Sequence, residues 1–266
     1  LLLQHLIEAQ NLQHLQNGSS GAQSVTLSFW VRSDKTGTYT VAIRKPDNTD
    51  RNQSKEYTIS AADTWEHKSL TFSGDTSGGG IANDNGAGFF CDWWLAGGSN
   101  FTGGTMDTWA NTATQRLSTN QVNLMDGTNE WYITGVQLEV GQKATAFEHR
   151  SFGDVLKQCE RYYEKTYQYS TAPGTAAAYD ADQPIRINGL NNTGSEQKYL
   201  VIRLRTEKRA SPTTTYYNEA GNTGRCTTYD GGGSADNGIN IGLSISGTAM
   251  QGFGPSNGTF SGIACF

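Results

Sequence analysis

The sequence has little charge. Asp, Glu, Lys and Arg make up 17% of the 266 residues, and the net charge is −5. Binding to a nucleic-acid backbone needs a concentrated basic surface. The one basic cluster, Arg203, Arg205, Lys208 and Arg209, is better explained as the polar face of a strand and its turn. A helical bundle would need far more Ala, Leu, Glu and Lys. We therefore expect neither nucleic-acid binding nor a helical fold.

Long apolar runs and paired cysteines are also missing. No stretch is long enough to span a membrane, and the opening LLLQHLI is too short and too quickly polar for a signal peptide. We expect no membrane insertion. The four cysteines include no C-x-x-C pair, which argues against zinc and favours small buried thiols, Cys159 among them. Because the chain does not begin with Met, we expect it to be part of a longer protein.

Motifs for catalysis are absent as well. Glycoside hydrolysis needs two carboxylates on either side of the scissile bond. Nothing in the spacing of Asp92, Asp107, Glu130 and Glu148 selects such a pair. The four histidines lie in neither a Ser-His-Asp nor an HExxH context. We therefore expect that the protein is not an enzyme, and no residue is named as catalytic.

Turn-forming and aromatic residues are abundant. The chain has 32 Gly and 11% aromatic residues, a composition typical of β-structure with many turns. Val25–Val31 alternates, with Leu27 and Phe29 on one face of the strand and Trp30 on the other. Roughly eight short strands separated by turn signals precede residue 141. This pattern predicts an all-β fold that begins with a jelly-roll β-sandwich.

One helix interrupts the strands, at about residues 151–165. Ser151 and Asp154 have the spacing of a capping pair. Apolar residues then recur at three- and four-residue steps, as on the buried face of a helix: Phe152, Val155, Leu156, Cys159, Tyr162 and Tyr163. We predict a first domain over residues 1–148, and a second domain over 149–266 that contains this linking helix and a smaller β fold.

Aromatic residues near Asn- and Gly-rich loops predict a carbohydrate site. Sugar sites on β-sandwiches stack aromatic rings on sugar C–H faces, and amides or carboxylates bind the hydroxyls. Trp93, Trp94 and Trp109 are suitable rings, with Asn100 in the second Gly-rich loop. Adjacent residues of a strand point to opposite faces, so only one of Trp93 and Trp94 can face the core. The alternative is that these rings belong to the core or its rim.

Carboxylates predict a weaker calcium site. Glu8 and Glu139 lie in the first and last expected strands of the first domain, while Asp75 and Asp84 lie in the long loop 73–88. Their oxygen atoms could converge on Ca²⁺, although the sequence has no DxDxDG loop. No other cofactor is expected.

Tyrosines cluster at the end of the helix and just after it. Tyr162, Tyr163 and Tyr167 combine large rigid rings with a hydroxyl, as interface residues often do. Packing of the helix between the two domains explains them equally well, and both interpretations stay open.

Several segments resemble a family of tail-fibre and minor structural proteins of tailed bacteriophages. In the first domain these are IEAQNLQHL, TLSFWVRS, GTYTVAI, WEHKSLTFSGD and YITGVQLEVG. They are followed by AFEHR, CERYYE, YYEKTY and the RASPT turn, so the resemblance covers most of the chain.

The resemblance implies a carbohydrate-binding-module-like jelly roll over residues 1–148 and a small β domain at about 153–266. It also implies a homotrimer on the virion surface. We therefore expect a tail fibre or receptor-binding component that adheres to host surface polysaccharide. The alternatives are a capsid decoration or fibre-adaptor protein, which contacts only other virion proteins, and a polysaccharide depolymerase.

Overall fold

A computed structural model describes residues 1–48, 51–176, 185–188, 199–230, 233–237, 244–246, 249–253 and 262–265. The fold is mostly antiparallel β-sheet. It divides into two compact units, Leu1–His149 and Arg150–Phe266.

The first unit is built from two antiparallel sheets. Its strands are β1 (Leu2–Glu8), β2 (Val25–Ser33), β3 (Gly37–Lys45), β4 (Arg51–Ile59), β5 (Glu66–Phe72), β6 (Ala87–Trp94), β7 (Trp109–Asn111) and β8 (Trp131–Val140). One sheet has the order β1-β6-β3-β4-β7, and the other has the order β5-β2-β8. A 3₁₀ helix, Ala9–Leu15, follows β1.

The core of the first unit lies between these two sheets. Alternation along each strand sends every second side chain inward, and the inward residues of β2 are Val25, Leu27, Phe29 and Val31. The Phe29 ring meets the rings of Tyr57 and Trp93 edge-on, with centroids 5.2 and 5.9 Å away. The alternating pattern of the sequence therefore identified this inner face correctly.

A long segment, residues 95–124, covers the outer face of the five-stranded sheet. Val122 N donates to the Thr38 carbonyl (2.9 Å), and Leu124 N donates to that of Leu95 (2.9 Å). Ser118 contacts the sheet twice: its N–H donates to Thr40 Oγ1 (3.2 Å), and its hydroxyl donates to Glu56. Because of this cover, Thr40 and Ser54 are buried although they lie on the outer face of the sheet.

In the second unit the described strands form two further antiparallel sheets. The strands are β9 (Ile185–Asn188), β10 (Tyr199–Arg203), β11 (Cys226–Asp230), β12 (Gly233–Asn237), β13 (Ser244–Ser246), β14 (Ala249–Phe253) and β15 (Gly262–Cys265). Their orders are β10-β14-β13 and β12-β11-β15-β9.

The helix α1 (Phe152–Glu160) starts as the sequence predicts, with Asp154 N donating to Ser151 Oγ (3.2 Å). It ends five residues before the predicted boundary at 165, where the Glu160 carbonyl accepts from Lys208 Nζ. The prediction that its apolar face is buried is wrong. Phe152 is 78% exposed, Cys159 is also exposed, and Glu160 is the buried residue of the helix.

Ion pairs explain why Glu160, a charged residue, is the buried residue of α1. Lys208 Nζ lies 2.7 Å from Glu164 Oε2, and Arg205 Nη1 lies 3.0 Å from Glu160 Oε1. Hydrogen bonds from the Tyr169 hydroxyl and then Arg205 lower the pKa of Glu160. The predicted basic cluster around residue 205 thus binds the helix rather than an external anion.

No helix among the described residues is long and apolar enough to span a membrane.

Candidate binding face

The residues predicted to bind carbohydrate do not form one exposed surface. Trp93 points into the core and is only 2% exposed. Trp94 points to the opposite face of β6, as alternation requires, but it is also buried, because the ring of Phe101 covers it with centroids 5.5 Å apart. Neither ring of this pair is therefore exposed in this structure.

Trp109 and Asn100 lie in separate environments. The indole N–H of Trp109 donates to the Ser73 carbonyl (2.7 Å), and Lys45 Nζ lies 5.5 Å from the ring centroid. Trp109 is therefore partly buried and packs against the core of the first unit. Asn100 is exposed in its loop, where its carbonyl accepts from Gln115 N (3.1 Å).

The predicted calcium ligands are also apart. Glu8 ends β1 of the five-stranded sheet and accepts from Gln10 Nε2 (2.7 Å), whereas Glu139 lies in β8 of the other sheet and accepts from Thr145 N (3.0 Å). Asp75 is held by two cations, Lys45 and Arg51. Across the described part of the chain, no three His, Cys, Asp or Glu side chains are grouped to hold a metal ion.

The three predicted interface tyrosines divide into two environments. Tyr162 and Tyr163 are exposed at the end of α1. Tyr167 is buried and meets the ring of Tyr217 edge-on, with centroids 6.1 Å apart. Tyr167 is thus a packing residue of the second unit, while Tyr162 and Tyr163 each expose more than half of their surface.

A different group of rings is exposed on the outer face of the three-stranded sheet. We call it the aromatic face, and its members are Trp30, His67, Tyr132, Phe147 and His149. Trp30 and His67 are cross-strand partners with centroids 5.3 Å apart, and the rings of Phe147 and His149 are 5.1 Å apart. Trp30 is 43% exposed and Phe147 is 44% exposed.

Gly135 brings the two halves of this face together. It lies where the β2–β8 register shifts, and its φ is +57°, a left-handed conformation that glycine adopts without steric cost. A Cβ at Gly135 would lie 3.3 Å from Trp30 Cδ1 and 3.9 Å from Phe147 Cδ2. Both rings therefore border the same point of β8, and the row runs from His67 through Trp30 to Phe147.

Phe147 reaches this position because the chain folds back after β8. Glu148 N donates to Gln137 Oε1 (2.8 Å), and Gln137 Nε2 donates to the Ala146 carbonyl (3.4 Å). The Glu139 carboxylate accepts from Thr145 N, and bonds from Thr145 and then Gln137 lower the pKa of Glu139. The predicted calcium ligand Glu139 thus helps to hold the segment that carries Phe147.

Polar groups border the rings. Arg32 lies over the Tyr132 ring, 5.6 Å from its centroid, and pairs with Asp63 at 2.9 Å. The Tyr132 hydroxyl donates to Glu130 Oε2 (2.6 Å), and that bond raises the pKa of Tyr132. Rings for apolar contact and fixed hydrogen-bonding groups are therefore present on one surface. Such a surface can hold a ligand.

Sequence reasoning missed this face because its members are far apart in the chain. The alternation in Val25–Val31 did place Trp30 opposite the core, which was the available signal. His67 and Phe147 join Trp30 only through strand register and the fold-back after β8. Comparison of the chain with protein-family models, curated proteins and solved structures finds no match.

Proposed function

We propose that this protein is a virion protein of a tailed bacteriophage, a tail fibre or receptor-binding component, that adheres to polysaccharide on the host surface through the aromatic face. The sequence resemblance supports the virion assignment. The exposed row from His67 through Trp30 to Phe147 supports adhesion, and it is the observation on which the proposal rests.

The geometry of the row suits an extended sugar chain. It runs across the strands, which lie about 4.8 Å apart, so that rings on neighbouring strands can meet successive sugar units. Trp30, the largest ring, is central and lies against Gly135, which has no side chain. Arg32, Asp63 and Glu130 are close enough to the rings to bind hydroxyl groups. Contact with such a flat surface is shallow, and several copies on one particle would strengthen it by avidity.

We also infer that the first unit is a jelly roll. Eight strands in two antiparallel sheets, with non-sequential neighbours in both, support this finer description. A jelly roll is the fold that the resemblance implies for residues 1–148.

The test is binding of the full chain to host surface polysaccharide or to a glycan array. Replacing a central aromatic anchor costs about 2 kcal/mol, roughly a thirtyfold loss of affinity. We expect that loss for Trp30→Ala. Phe101→Ala is the matched control, because it removes a similarly exposed ring from the side of the other sheet.

Three results would contradict the proposal. The first is that the wild-type chain binds no glycan. The second is that Phe101→Ala loses binding while Trp30→Ala keeps it, a result that would locate the site near Asn100. Release of oligosaccharides from the polysaccharide would identify a depolymerase instead.

A structural role is the second candidate, and helix α1 favours it. Phe152, Val155, Tyr162 and Tyr163 expose apolar or aromatic area on α1 and the turn after it, as a contact with another virion protein requires. Incorporation of Phe152→Ser into particles distinguishes the roles. Loss of incorporation with glycan binding intact assigns α1 to assembly, whereas loss of incorporation in a chain that binds no glycan supports the purely structural role.

A further inference from the structure

Strand β1 is the edge of the five-stranded sheet and is unusually apolar for an edge. It pairs with β6, and within the part of the chain that the structure describes no strand pairs with its other side. Leu2, Leu3 and Leu6 are exposed, on both faces of the strand. Natural edge strands are usually protected by charged side chains, Pro or bulges, yet from residue 2 to residue 7 the sequence LLQHLI has no Asp, Glu, Lys, Arg or Pro.

The hydrogen bonds of β1 show which backbone groups face its open side. The Leu1 carbonyl accepts from Leu95 N (3.0 Å) and Ala96 N (3.1 Å), so the backbone of Leu1 faces β6. Backbone groups alternate in direction along an antiparallel strand, and the β1–β6 register is regular as far as Ile7. The N–H and C=O groups of Leu2, Gln4 and Leu6 therefore point away from the sheet.

We propose that the open edge of β1 pairs antiparallel with β1 of a second copy of this chain, which joins two five-stranded sheets into one continuous sheet. The two-fold axis passes beside Gln4. In this register Gln4 pairs with Gln4 of the other copy, and Leu2 pairs with Leu6. Each of these pairs exchanges two backbone hydrogen bonds.

Charge and side-chain chemistry identify the partner as a second copy. From residue 2 to residue 7 the edge has no acidic or basic side chain except His5, and in this register His5 lies opposite Leu3, so the two His5 side chains do not meet. Leu2 meets Leu6 on the outer face, where both are exposed. An acidic or basic peptide would gain nothing from this strand, whereas an identical apolar strand matches it on both faces. Pairing of one edge with itself closes as a dimer, and this does not depend on glycan binding.

The first experiment measures the mass of the full chain in solution over a range of concentrations. We expect a monomer–dimer equilibrium for the wild type and at least a tenfold weaker dimer for Leu6→Lys. Met125→Lys adds the same charge at an exposed loop residue and should leave the dimer unchanged. Tryptophan fluorescence checks that both variants remain folded.

A second experiment tests the register. Paired residues of this type have Cα atoms about 5.5 Å apart, within the range for a disulfide. Gln4→Cys in a Cys159→Ser background should form a covalent dimer on mild oxidation, and Met125→Cys in the same background should not. A wild-type chain that stays monomeric at its highest soluble concentration overturns the proposal. A trimer or larger assembly that Leu6→Lys leaves intact overturns it equally.

Discussion

A buried cluster of three charges makes the stability of the first unit depend on Asp75. Lys45 and Arg51 are directly opposite each other in the β3–β4 register, on the inward side of the sheet. Like charges in that position repel. Asp75 lies between them, with Oδ2 at 2.5 Å from Lys45 Nζ and 2.6 Å from Arg51 Nε, and with Oδ1 at 2.7 Å from Arg51 Nη2.

The Gly-rich loop after β5 closes over this cluster. Gly78 N donates to Asp75 Oδ1 (3.1 Å), and the Gly79 carbonyl accepts from Lys45 Nζ (2.9 Å). A Cβ at Gly78 would lie only 1.8 Å from Arg51 Nε, so glycine is needed for the close approach. The sequence suggested a long flexible loop over residues 73–88, but its first half is anchored to the interior.

Replacing Asp75 by Asn removes the negative charge and keeps the shape of the side chain. Both cations then remain buried without a counter-ion, and breaking a buried ion pair in this way costs about 3–5 kcal/mol. Since whole domains are stable by only about 5–15 kcal/mol, we expect Asp75→Asn to unfold much more easily. Denaturant titration followed by tryptophan fluorescence measures this change, because all six tryptophans lie in the first unit.

Two variants separate this explanation from others. Asp63→Asn is the control: Asp63 is mainly exposed and pairs with Arg32 on the surface, so its loss should cost less than about 1 kcal/mol. Lys45→Met leaves the Asp75–Arg51 pair complete. It should therefore lower the free energy of unfolding by less than half as much as Asp75→Asn does. If Asp75→Asn lowers the free energy of unfolding by no more than Asp63→Asn does, the explanation is refuted.

The same cluster predicts a dependence of stability on pH. Burial alone would raise the pKa of Asp75, but hydrogen bonds from Arg51 and then Lys45 outweigh it and lower the pKa to about 2. Because the folded pKa is below the ordinary value of 3.8, the stabilisation is complete above about pH 4 and is lost as the pH falls towards 2. Protonation of Asp75 should therefore lower the free energy of unfolding by about 2 kcal/mol. Asp75→Asn has no carboxyl group at this position, so its stability should not show this loss at low pH.

Three further predictions concern single positions. Gly135→Ala places a side chain at φ +57° and against Trp30, so it should cost about 1–2 kcal/mol of stability and also weaken glycan binding, as measured by denaturation and by the array. Ser151→Ala removes the N-cap of α1, so amide hydrogen exchange in that helix should rise roughly fivefold. Burial raises the pKa of the Cys91 thiol to about 12, whereas Cys159 is exposed. Labelling of the native chain with a thiol reagent should therefore fall by one equivalent in Cys159→Ser and stay unchanged in Cys91→Ser.

Much of the fold could be predicted from local patterns. Alternation located β2 and its inward residues, and the capping pair located the start of α1, because both signals depend on neighbours within a few residues. The end of α1 could not be predicted in the same way. There the Glu160 carbonyl accepts from Lys208, which lies 48 residues further along the chain.

The residues predicted to bind carbohydrate do not share one exposed surface, for a related reason. Composition and alternation indicate which residues can leave the core, but not what covers them afterwards. Trp94 leaves the core and is then covered by Phe101, whereas Trp30 leaves the core and stays exposed. The two residues are alike in the sequence, and only the path of a distant segment distinguishes them.

Residue type and short-range spacing are enough to predict a β-rich chain with alternating strands, one capped helix and a low net charge. The folded chain alone reveals which aromatic residues are exposed, which carboxylate neutralises Lys45 and Arg51, and which residue of α1 is buried. Each of these depends on contacts between segments tens of residues apart, and the free energy of a buried ring or charge is set by whatever the fold places against it.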